Sequence, residues 1–110
     1  MDMAWNNPIT TAQPLGASAA DAIIGACLAA AAQGDADAYF DLGVLCSTDD
    51  SIVPNDLIEA HKWFNLAASQ GHAEAAILRA ELAEDMTARE IAEAQRRARQ
   101  WLATITRRAA

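Results

Sequence analysis

The feature that most constrains this chain is a stretch that occurs twice. Ala31-Ala32-Gln33-Gly34-Asp35-Ala36-Asp37-Ala38 aligns with Ala68-Ser69-Gln70-Gly71-His72-Ala73-Glu74-Ala75 at an offset of 37 residues. Ala, Gln, Gly, Ala and Ala coincide, Asp37 matches Glu74, and further on Gly43 falls opposite Ala80, both small. Self-similarity at such a period is the mark of a helix pair repeated along an α-solenoid. The residue types fit that geometry. Gly accepts the left-handed backbone that turns the chain back after a helix. Small residues let two helices approach closely enough to pack ridge into groove.

Helix punctuation divides the rest of the chain into about five helices. Residues 1–15, with Pro8, Pro14, two Asn and two Thr, read as an irregular arm. Ser18 is placed to cap a helix reaching Ala32, which Gln33-Gly34 ends. Asp35 is placed to cap a second helix, where Ala38, Leu42 and Leu45 share a face, ending near Ser47. Pro54 disfavours helix at Val53 and Asp56 restarts it, with Glu59 at capping-box spacing. This third helix runs to Gln70 with Ala60, Phe64 and Ala67 on one face and Trp63 beside it. A fourth covers about 73–86, with Ala75, Leu78, Leu82 and Met86 in line. Thr87-Ala88-Arg89-Glu90 is a full capping box opening a fifth, long helix, where Ile91, Ala94, Ala98, Leu102 and Ile105 recur at helical spacing. No segment alternates with period two long enough to predict a strand.

These residues resemble a known family. The stretch 34–43, with Ala-x-x-x-Leu-Gly at 38–43, resembles the first helix of a Sel1-like repeat. The stretch 56–71 resembles its second, with Ala60, Trp63, Phe64, Ala67, Ala68 and Gly71 in register. The resemblance covers one complete repeat, about 35–71, inside a repeat domain of 16–110. A C-terminal half-repeat and a long capping helix fill 72–108, as in small bacterial proteins of this kind. One departure is visible: Asp49, Asp50 and Ser51 stand in the inter-helix loop, where the family usually carries glycines. The resemblance implies an all-α, TPR-like solenoid of antiparallel helix pairs. It also implies a non-catalytic adaptor or scaffold that holds another protein. The face made by the first helix of each pair would then carry Tyr39, Phe40, Asp41 and Gly43, continued by Glu74, Ile77, Leu78 and Glu81, and a partner peptide or helix would lie across it.

Composition supports helices over sheets. Hydrophobic residues make up 53% of the chain and aromatics only 5%; alanine, the best helix former and a poor core filler, supplies much of the former. The net charge of −7 is unevenly spread. Residues 1–85 hold thirteen acids against Lys62 and Arg79, a balance of −11, while 86–110 hold six arginines against Glu90 and Glu93, a balance of +4. The acidic bulk repels phosphates and argues against nucleic acid as a partner. The C-terminal arginines have two readings: a patch for an acidic partner or nucleic acid, or a structural role. For the second, Glu93–Arg97 is an i, i+4 pair, and Arg107 and Arg108 offset the helix dipole. Self-association as a homodimer through the fifth helix is the alternative to a foreign partner.

Several chemistries lack their residues. Cys27 and Cys46 form no C-x-x-C motif and read as small apolar side chains. His61 and His72 belong to no metal-ligand spacing. Asp49, Asp50, Asn55, Asp56 and Glu59 are acidic enough for calcium, but Ile52-Val53-Pro54 breaks the EF-hand arrangement. Neither a nucleophile motif nor a phosphate loop is present, so no enzyme activity and no cofactor are expected. Met1-Asp2-Met3-Ala4-Trp5 lacks the basic start of a signal peptide, and the apolar run within 16–32 is interrupted by Asp21. A cytoplasmic chain without a membrane partner is the expectation.

Overall fold

Helices account for all the regular structure among the described residues: α1 (Leu15–Ala31), α2 (Ala36–Ser47), α3 (Leu57–Ser69), α4 (Ala73–Ala83) and α5 (Ala88–Ala109). The structure, a computed structural model, describes residues 15–48 and 56–109. The arm with Trp5, Pro8 and Pro14 and the loop with Asp49, Asp50, Ser51 and Pro54 lie outside them.

The doubled sequence makes a doubled turn. Gly34 and Gly71 both adopt positive φ, 80° and 92°. After α1 the Asp35 N–H donates to the Ala30 carbonyl at 3.3 Å; after α3 the His72 N–H donates to the Ala67 carbonyl at 3.1 Å, the same bond 37 residues on. Such a closure satisfies carbonyls that a helix end leaves unpaired. The caps that follow also correspond. The Ala38 N–H donates to Asp35 Oδ1 at 3.3 Å, and the Ala75 N–H to His72 Nδ1 at 3.1 Å. A carboxylate and an imidazole thus perform one task. Gln70 Nε2 donates to the Gly34 carbonyl at 2.7 Å and ties the two turns together.

Around these turns, α3 is the central helix. It packs against α2, α4 and α5, while α1 packs against α2. The core is built on Tyr39, Leu42, Trp63, Phe64 and Leu66, with Ala31, Ala38, Ala60, Ala67, Ala75 and Ala98 at the crossings. Alanine contributes little transfer energy of its own; it sets the helix spacing at which the few large side chains interlock. Gly43 shows this most sharply. A Cβ there would stand 2.5 Å from Cδ1 and Cε1 of Phe64, a ring only 1% exposed. Only glycine lets α2 and α3 meet at that point.

Local chemistry explains the ends. Asp56 Oδ1 accepts from the Ile58 and Glu59 N–H groups and starts α3. Thr87 and Glu90 exchange hydrogen bonds of 2.9 and 3.1 Å, the reciprocal capping box expected for α5. Two boundaries differ from expectation. The first helix begins at Leu15, ahead of Ser18, because Leu and Ala propagate helix readily. The fourth stops at Ala83 rather than Met86: the N–H groups of Glu84, Asp85 and Met86 reach back only three residues, so the last turn tightens.

The two thiols are free and half-buried. Burial raises both, with Glu59 and Asp56 adding to the rise at Cys46, which reaches about 11. Both stay protonated near neutrality, in keeping with small apolar side chains.

Candidate functional site

The eight residues expected on a partner face separate into two groups. Asp41, Glu74, Ile77 and Glu81 are exposed, and Ile77, at 59%, is the most exposed large apolar side chain among the described residues. Glu74, Ile77 and Glu81 stand at i, i+3 and i+7, one stripe along α4. Phe40 and Leu78 are half-buried. Phe40 stacks on His72 with centroids 4.4 Å apart and planes 11° from parallel, and tilts against Phe64 at 5.7 Å. Tyr39 and Gly43 are corrected. Tyr39 is wholly buried and Gly43 lies under Phe64, so neither faces solvent. The buried stripe of α2 is Ala38, Tyr39, Leu42 and Gly43, wider than the spacing of Ala38, Leu42 and Leu45 suggests. That width brings the tyrosine inside.

Inside, Tyr39 is the hub of an aromatic cluster. It stacks on Trp63 at 5.9 Å, and Trp63 meets Trp101 edge to face at 5.0 Å. Trp101 Nε1 donates to the Tyr39 hydroxyl at 3.1 Å, which gives a polar group in the core its partner. Lys62 lies over this cluster with Nζ 4.0 Å from the Trp63 ring centroid. A lysine so deep needs a counter-charge, and Glu59 supplies it at 3.0 Å. Glu59 also receives Arg97 at 2.8 Å, and Arg97 shares Glu93 with Arg96. Burial pushes the Glu59 carboxyl up, but hydrogen bonds from Lys62 and Arg97 outweigh it and hold the group below its usual range. Arg96 and then Arg97 hold Glu93 lower still, at about 2. The Glu93–Arg97 pair thus takes the place expected of it, and Arg97 also clamps α5 to α3.

Two concave surfaces adjoin Trp101, and no local pattern in the sequence marks either. One, of about 730 Å³, runs between the C-terminal halves of α1 and α5, with Gly25, Leu28, Ala29, Ala32 and Gln33 on one side and Trp101 and Ile105 on the other. The other, of about 360 Å³, is polar, with Lys62, Arg96, Arg97, Gln100 and Thr104 around Glu59. Trp101 belongs to both. The position of Trp101, 37 residues after Phe64, was the available clue.

The two histidines have different surroundings. His72 caps α4 through Nδ1, with Nε2 3.7 Å from Asp37. His61 is 4% exposed, and its Nδ1 has no hydrogen-bond partner. Burial, then Arg79, lowers its affinity for a proton. Among the described residues no group of three His, Cys, Asp or Glu side chains converges to hold a metal ion, and no helix is long and apolar enough to cross a membrane. Compared with known proteins, the chain matches no family model, no curated protein and no solved structure.

Proposed function

We propose that this chain is a non-catalytic protein-interaction module, an adaptor or scaffold built as a short Sel1-like α-solenoid. Its partner is a basic, amphipathic helix or peptide lying across α2 and α4. The exposure of Ile77 between two carboxylates carries the reading. A large aliphatic side chain 59% open to water is an anchor point when its neighbours dictate the partner's charge, and here Glu74 and Glu81 bracket it on α4. Asp37 and Asp41 add exposed carboxylates on α2. The solenoid assignment draws support from the matched turns at Gly34 and Gly71, which reverse the chain twice in the same way. Contacts also run oppositely along α2 and α3, from Cys46 with Asp56 to Phe40 with Phe64.

Carboxylate-directed crosslinking in the native cell, read by mass spectrometry, tests the proposal. The expected result is a partner joined through Glu74 or Glu81 by a lysine-rich helical segment. Replacing Ile77 by Asp is expected to weaken its binding about tenfold or more. No enriched partner, or a partner indifferent to Ile77→Asp, overturns the reading.

A further inference from the structure

We propose that the basic helix taken by α4 is α5 of a second copy of this chain, a contact that rests on the face proposed above and names its occupant. The exposed stripe of α4 carries Glu74, Ile77 and Glu81, and Glu84, which caps the helix with helical backbone, continues it. The steps between them are three, four and three residues. The exposed stripe of α5 carries Arg89, Ala92, Arg96 and Arg99 at the same three steps. Residues so spaced lie on one face of a helix. The first stripe is acidic and aliphatic, the second arginine and alanine. Both helices pack on α3 through their other sides, where Ala75 of α4 and Ala94 and Ala98 of α5 are buried, so both stripes face solvent.

Equal spacing sets register and direction. Side by side and parallel, the stripes bring Glu74 to Arg89, Ile77 to Ala92, Glu81 to Arg96 and Glu84 to Arg99, as helices pair when such positions repeat along a seam. Ile77, 59% exposed in the single chain, is then covered where the partner offers only a methyl, small enough for the helices to approach. Run antiparallel, Ile77 would meet Arg96 and Glu81 would meet Ala92, so the parallel arrangement is favoured. Like stripes repel: two α4 helices set carboxylate against carboxylate, and two α5 helices arginine against arginine. The charges are also available. Glu74, Glu81, Glu84, Arg89 and Arg99 make no ion pair among the described residues, and Arg96 is shared with Glu93. Because α4 and α5 are different surfaces, either two copies exchange both contacts or copies add head to tail. Exposed ion pairs are individually weak, so association is expected at high protein concentration and low salt.

Sedimentation velocity on the full chain, across a concentration series, tests the contact. At low salt the mass is expected to rise with concentration, and at high salt to return to that of the monomer. Glu74→Arg/Glu84→Arg reverses the α4 stripe, and Arg89→Glu/Arg99→Glu the α5 stripe. Each variant alone is expected to associate at least about tenfold more weakly. An equimolar mixture of the two should associate again, because each reversed stripe then meets its complement. That rescue separates a lost contact from a lost fold, and circular dichroism melts check each variant. Should arginine at Glu74 unfold α4, Glu74→Gln/Glu84→Gln removes the charges without reversing them and should also weaken association. The proposal is overturned if the chain stays monomeric at low salt, if either reversed variant associates as the original chain does, or if the mixture of folded variants stays monomeric. A helical leucine–lysine peptide keeps the two readings apart. If it binds the chain, loses binding with Ile77→Asp, and the chain does not self-associate, the second copy is overturned as occupant and the α4 face belongs to a foreign helix. If the peptide does not bind and the chain stays monomeric, the face itself is overturned as well.

Discussion

The segments α2–α3 and α4–α5 begin with the same turn and end in different surroundings. Gly34 and Gly71 reverse the chain alike, and Asp35 and His72 cap alike. Past the caps they diverge. In the first pair Gly43 admits the Phe64 ring against α2. In the second the corresponding Ala80 is exposed, and Trp101, the counterpart of Phe64, packs on Trp63 instead. So α5 docks on α3, which buries seven of its residues while α4 buries only Ala75. A local motif dictates how a chain turns; what the next helix packs against is settled by which large side chains are at hand.

Substitutions at the paired positions break this comparison most directly. Gly43→Ala forces a methyl into a buried ring and is expected to cost about 1–3 kcal/mol in urea unfolding. Ala80→Leu, at the equivalent exposed site, should stay within about 0.5 kcal/mol. Equal effects would show that both pairs close in the same way.

The turns should behave as equals. Gly34→Ala and Gly71→Ala each place a side chain in the left-handed region, at an expected cost of about 1–2 kcal/mol. At Gly34 the nearest atom to the new methyl is Gln70 Nε2 at 3.7 Å, an ordinary contact, and at Gly71 nothing is near. Backbone strain alone is therefore measured, and a clear difference between the two would refute their equivalence.

The smallest effect sharpens the central position of α3. His61→Leu removes a buried nitrogen without a partner and is expected to raise stability by about 1 kcal/mol. It should also change the pH profile. Because burial depresses the folded-state value of His61, the unfolded chain binds a proton there first. Stability from this group is intact above about pH 6.5 and falls as pH drops toward the depressed value. His61→Leu should abolish that decline. A second decline, below about pH 4.3, should remain, since Glu59 and Glu93 are lowered by their cations and lose that stabilisation on protonation. A melting-temperature series across pH separates the two.

Much of the architecture was legible because it is locally encoded. Asp35, Asp56 and the Thr87–Glu90 box satisfy their own backbone groups within three residues, and Gly34 and Gly71 carry their conformation in the absence of a side chain. Those features gave all five helices and most of their ends. The face proposed for a partner was only half legible. Glu74, Ile77 and Glu81 fall on one stripe by spacing alone, whereas Tyr39 looked like a surface aromatic until Trp101, 62 residues away, supplied a partner for its hydroxyl.

What the sequence determined by itself is therefore the helical content, the turns and the repeat period, since short-range hydrogen bonding and backbone sterics act within a few residues. Only tertiary structure decided that Lys62 lies over two tryptophans and shares Glu59 with Arg97, that His61 Nδ1 has no partner, and that α1 and α5 leave a trough between them. Each depends on residues distant in the chain meeting at van der Waals or ion-pair distance, and no local pattern carries that information.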